Sequence, residues 1–85
     1  MNKSQTTQLQ LLKLADRVDE IQEEELYSTG YIRRVGGYVH VNYKSEDADF
    51  FILEVTAGVN NPVEKVLPYS WELKLNRKTL ERVNN

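Results

Sequence analysis

One histidine, no cysteine and thirteen carboxylates bound the chemistry open to this chain of 85 residues. Without cysteine there is no disulfide and no thiolate metal site, and a lone His40 cannot supply the paired imidazoles of a zinc centre. His40 is the single conventional general base, with Tyr38 and Asn42 beside it along the chain. No nucleophile, acid pair or oxyanion-forming motif stands at a recognisable spacing from it. Gly36-Gly37 is not a phosphate-binding loop, because an extended pattern follows it where such loops need a helix. These residues predict a chain that is no enzyme and takes neither a metal nor a cofactor.

The carboxylates are not evenly spread. Residues 16–25 hold six of them against one arginine, a local charge of −5. On a helix, Asp16, Asp19, Glu20, Glu23 and Glu24 project away from the apolar stripe described below. Like charges meet there at i and i+4 (Asp16 with Glu20, Asp19 with Glu23, Glu20 with Glu24), each pair costing a few tenths of a kcal/mol, and acids in the C-terminal half oppose the helix dipole. A solvated face that keeps a small protein soluble explains this plainly. The sharper reading is a docking strip for a basic surface, of the kind that normally meets nucleic acid phosphate.

Positive charge lies elsewhere. Segments 31–44 and 65–85 each carry +3, so the formal net charge of −2 is a cancellation between an acidic helix and basic partners. Tyr31, Arg33, Tyr38, His40 and Asn42 interleave rings with cationic and amide groups, a pattern that suits a protein contact or the stacked bases of single-stranded nucleic acid. Arg33, Arg34, Arg77, Lys78 and Arg82 would supply the phosphate contacts of the second case. Half-wet sheet surfaces also carry such residues with no partner at all.

The elements that must position these groups follow from periodicity. Residues 7–27 read as a helix: Thr7 and Gln10 form a capping box, and Leu11, Leu14, Ala15, Val18, Ile21 and Leu26 fall in one stripe. Ser28-Thr29-Gly30 ends it. The period then becomes two. Tyr31–Val35 and Tyr38–Tyr43 flank Gly36-Gly37 as a hairpin with a primed turn, which sets Arg33 opposite His40 and Ile32 opposite Val41. Phe50–Thr56 is apolar on both faces and so reads as a central strand, with Phe50 and Ile52 free to extend an apolar patch beside Tyr31 and Tyr38. Ala57–Pro68 reads as loop, with Val63–Leu67 either a helical turn or a short extended piece. Ser70–Leu75 is the last strand, with Trp71 in the core, and Arg77–Val83 fits a short C-terminal helix capped by Asn76.

The expected fold is a single α+β domain spanning residues 1–85: a long N-terminal helix packed on an antiparallel sheet of three or four strands within residues 31–75, then a tail over 76–85. A small curved sheet closing toward a barrel is the rival. The length sits near the lower edge of what one core can hold unaided, which points to a partner or a homodimer. No apolar run reaches a membrane span and Met1–Gln10 lacks a secretory signal, so the expected location is cytoplasmic. The leading functional expectation is a protein-binding accessory or inhibitor module that occupies a partner's surface. Its size and missing catalytic groups are in keeping with the small accessory proteins of phages and other mobile elements. A nucleic-acid-binding regulator is the second expectation. The third is a homo-oligomeric structural element built on Leu11, Leu14, Val18 and Ile21.

Overall fold

The structure, a computed structural model, describes residues 7–61, 63 and 65–83. Met1–Thr6, searched above for a secretory signal, and Pro62, counted among the loop formers, lie outside the described residues. Helix α1 (Gln8–Ser28) is followed by a 3-10 turn (Tyr31–Arg33) and three strands, β1 (Gly37–Glu46), β2 (Phe50–Asn60) and β3 (Lys65–Asn76). The strands form an antiparallel sheet in the order β1-β2-β3. The fold is thus α+β, with the lower of the two expected strand counts.

Local chemistry starts α1 where the sequence predicts. The Gln10 amide donates to Thr7 Oγ1 at 3.2 Å and the Thr7 amide donates to Gln10 Oε1 at 3.0 Å, satisfying two of the amides that a helix start leaves unpaired. At the other end the Thr29 amide closes on the Glu25 carbonyl, and Gly30 takes a φ of +80° that turns the chain away. Leu14 and Ile21 are buried on the core face, with Val18 and Leu26 partly so. Leu11 and Ala15, also assigned to the core stripe, are exposed. They lie on the flank of α1 beside β1, where the sheet ends.

β2 is central, as its two apolar faces require. Phe51, Leu53, Val55 and Ala57 on one face are fully buried beneath α1, with Val39 and Val41 from β1 and Leu75 from β3 alongside. Burial of each large side chain contributes roughly 1.5–3 kcal/mol. On the opposite face Phe50 and Ile52 are half-buried, Phe50 beneath the Lys74 ammonium at 5.2 Å from its ring centre.

The hairpin about Gly36-Gly37 does not form. Tyr31–Arg33 is a 3-10 turn, closed by the Arg33 amide on the Gly30 carbonyl and the Arg34 amide on the Tyr31 carbonyl. The glycines serve a backbone crossing instead. Gly36 has a φ of +77°, and its carbonyl accepts the Asn60 amide at 2.8 Å, so the connection abuts the end of β2 with no space for a side chain. The hairpin partner of β1 is β2, joined through residues 47–49, where Asp47 Oδ1 accepts the amides of Asp49 and Phe50 at 2.8 Å each. His40 therefore faces Thr56 and Val41 faces Val55, not Arg33 and Ile32.

The expected loop Ala57–Pro68 is mostly strand. β2 continues to Asn60 and β3 begins at Lys65, with an irregularity in pairing between Ala57 and Val59. Pro68 falls within that irregularity on an edge strand, a place where its missing N–H breaks no ladder. The C-terminal helix is also absent. Asn76 does cap, accepting the amides of Lys78 and Thr79, but the cap serves a turn. Leu80 then adopts a left-handed φ of +63°, and the chain returns along β3, with Arg82 bridged to Leu75 and the Val83 amide donating to the Lys74 carbonyl.

Candidate functional site

The returning tail divides the acidic face of α1 in two. Arg82 donates to Glu25 Oε1 and to Glu24 Oε1, both at 2.9 Å, and Arg17 reaches Glu24 Oε2 at 3.2 Å, Glu20 Oε1 at 3.5 Å and the Leu80 carbonyl at 3.0 Å. Glu25 is buried and also accepts from the Ser28 hydroxyl. Glu24 and Glu25 thus fasten α1 to the tail; Glu25 is buried, whereas Glu24 stays exposed beside Glu20 and Glu23 with its charge met by Arg17 and Arg82.

Asp16, Asp19 and Glu23 have no ion pair among the described residues, and Glu20 has only the long contact to Arg17. These four carboxylates follow one another along the outward side of α1. Leu9 and Leu12 precede them and Tyr27 follows, and these three are 61%, 60% and 61% exposed. The steps 9, 12, 16, 20, 23, 27 are all three or four residues, so these six side chains form one outward ridge with apolar ends and an acidic middle, with Asp19 on its flank toward β1. The sequence reading missed Leu9, Leu12 and Tyr27. Their spacing to Asp16 and Glu23 was the available signal, although apolar residues on a polar face are easily assigned to nothing.

Proton linkage follows from the fasteners. Desolvation raises the Glu24 carboxyl, but Arg82 and Arg17 outweigh it and hold the group below its ordinary value. Lys44 does the same to Glu72, and the amides of Asp49 and Phe50 to Asp47. A carboxylate held low binds fewer protons folded than unfolded. Its stabilisation is present above the unfolded pKa and is lost as pH falls through the folded one. The urea midpoint is expected to fall on acidification through the carboxylate range, and less steeply in Arg82→Gln. An equal slope in that variant would show that the Arg82 pairs carry no part of it.

The predicted hairpin face is dispersed. Tyr31 is buried on the α1 side of the sheet, with the Arg34 guanidinium 5.9 Å from its ring centre. Its hydroxyl is hydrogen-bonded to Tyr69, whose own pKa is raised by that bond. Arg33 sits on the 3-10 turn. Tyr38, His40 and Asn42 remain together on the sheet face opposite α1, the Tyr38 and His40 rings stacked at 5.3 Å. That face satisfies itself: Thr56 bonds Ser70 at 3.0 Å, and Lys44 pairs with Glu54 and Glu72. His40 has no hydrogen bond or ion pair among the described residues beyond its stack on Tyr38.

The basic residues do not converge. Arg77 is held by Glu46 at 2.9 Å and the Asp47 carbonyl at 3.1 Å, its guanidinium 4.9 Å from the Phe51 ring centre. Arg82 is spent on Glu24 and Glu25. Arg33 and Arg34 lie near the Asn60 end of β2, whereas Arg77 and Lys78 lie near its Phe50 end, where the Arg77 amide donates to Asp49. The described residues contain no cluster of three or more metal-binding side chains, and no helix long and apolar enough to cross a membrane. Comparison with protein-family models, with curated proteins and with solved structures returns no match.

Proposed function

We propose that the chain is a non-enzymatic protein-binding module that works in the cytosol by occupying a partner's surface, as an accessory factor or inhibitor, through the outward ridge of α1. The observation that carries this reading is the fate of the acids. Arg82 of the tail and Arg17 of α1 itself neutralise Glu24 and Glu25, and leave Asp16, Asp19, Glu20 and Glu23 exposed despite their mutual repulsion at i and i+4. Carboxylates at successive helical turns stand roughly 4.5–6 Å apart along the axis. Such a row suits a basic groove, and Leu9, Leu12 and Tyr27 at its two ends supply the apolar anchors that fix a position within one. The favoured partner is a protein whose surface normally meets nucleic acid phosphate.

The test compares capture from native-host lysate by the immobilised wild type and by Glu20→Lys/Glu23→Lys. A protein retained by the first, lost with the second and released by moderate salt is the expected result. Equal capture by both would remove the ridge from consideration. A labelled single-stranded oligonucleotide titrated at low salt is expected to give no anisotropy change, since the arginines are paired or scattered. Tight, salt-sensitive binding would instead make the chain a nucleic-acid regulator.

A further inference from the structure

The two edges of the sheet are covered by different means. The outer side of β3 takes the returning tail, where the Asn76 amide donates to the Glu81 carbonyl at 2.8 Å and the Val83 amide donates to the Lys74 carbonyl at 3.0 Å. Backbone covers backbone there. Among the described residues no strand covers the outer side of β1. At its start the Gly37 amide donates to the Arg34 carbonyl, and at its middle the Val41 amide donates to Gln22 Oε1 of α1 at 3.1 Å. Successive residues of an antiparallel strand turn their N–H and C=O to opposite sides, so Val39 and Tyr43 face outward with Gly37 and Val41. An outward row of that kind is a template for another strand.

We propose that Gln22 guards this edge: its side-chain carbonyl stands where the carbonyl of an incoming strand would meet the Val41 amide, and so keeps the β1 of a second copy from pairing there. Position along the strand is the first support. Pairing becomes irregular between Tyr43 and Ser45, so the regular outward row is Gly37, Val39, Val41 and Tyr43. With Gly37 and Val41 both taken, no two successive outward positions remain for a ladder. The second support is the residue type. In residues 16–25 every other polar side chain is charged, six acids and Arg17, and position 22 alone holds an uncharged amide. Gln22 is half-buried against Val41, which is itself 5% exposed, whereas Glu20 and Glu23 beside it are exposed. A carboxylate at that place would lose more hydration than an amide does. The guard is thus a neutral acceptor on an otherwise acidic helix.

Gln22→Met keeps the length of the side chain and its tendency to form helix, but removes the carbonyl. In dilute solution its Val41 amide is expected to exchange about tenfold faster than in the wild type, while the His40 amide, which faces β2 by alternation, keeps its rate. At millimolar concentration sedimentation velocity should show a larger species for Gln22→Met than for the wild type, with the helical circular dichroism signal unchanged. Adding Tyr43→Lys places a charge beside the freed edge and should return the sedimentation coefficient to the wild-type value. Identical sedimentation of the wild type and Gln22→Met at every concentration would overturn the proposal and leave the bond as a fastener of α1 alone. Unchanged Val41 exchange would overturn it as well. So would association that persists in Gln22→Met/Tyr43→Lys, since its route would then not be the β1 edge.

Discussion

Phe51→Ala is expected to remove about 3–5 kcal/mol of folding stability, measured as a fall in the urea midpoint at unchanged slope. Domains of this size have roughly 5–15 kcal/mol in total, so the variant loses a large share of it. The ring is fully buried on the α1 face of the central strand, opposite Leu75 and Glu46, and the Arg77 guanidinium covers it. Truncation leaves a cavity between helix and sheet, and takes from Arg77 the ring on which it rests. The adjacent Phe50 makes the comparison decisive. It is half-buried on the other face, with Lys74 above it and no helix, and Phe50→Ala should cost only about 1 kcal/mol. Equal losses would mean that both faces of β2 are covered alike, contrary to the fold described.

Gly36→Ala is expected to cost about 3 kcal/mol or more. Two penalties combine there: a left-handed φ of +77°, and a Cβ that would stand 2.2 Å from the Asn60 carbonyl oxygen. The first alone amounts to roughly 1–2 kcal/mol. The second cannot be relieved by rotating a side chain, because the obstacle is backbone, so the end of β2 or the connection to β1 must move. Gly30 separates the two effects. It has the similar φ of +80° but open space around its Cβ position, and Gly30→Ala should cost only the conformational part, about 1 kcal/mol. Hydrogen exchange gives a second readout: the Asn60 amide, which donates to Gly36, should lose protection in Gly36→Ala and keep it in Gly30→Ala. Equal stability losses in the two variants would show that the crossing is looser than described.

These substitutions also mark the border between short-range and long-range information. The amino-acid sequence by itself determined α1, because a capping box acts over three residues and an apolar stripe repeats within four. It determined the central place of β2, because a strand with apolar residues on both faces is best shielded by a neighbouring strand along each edge. It also bounded the chemistry, since a chain with one histidine and no cysteine cannot assemble a thiolate or paired-imidazole site. Only the tertiary structure decided the rest. Gly36-Gly37 suits a primed turn and a tight crossing equally well, and the choice came from Asn60, 24 residues away, pressing against the glycine. Asn76 caps a turn or a helix with the same hydrogen bonds, and the register of residues 81–83 on β3 selected the turn. Which carboxylates of α1 are held in ion pairs was decided in part by an arginine 57 residues beyond Glu25. An ion pair depends on which segments meet in space, and the spacing of charges along one helix carries no information about a tail that folds back onto it.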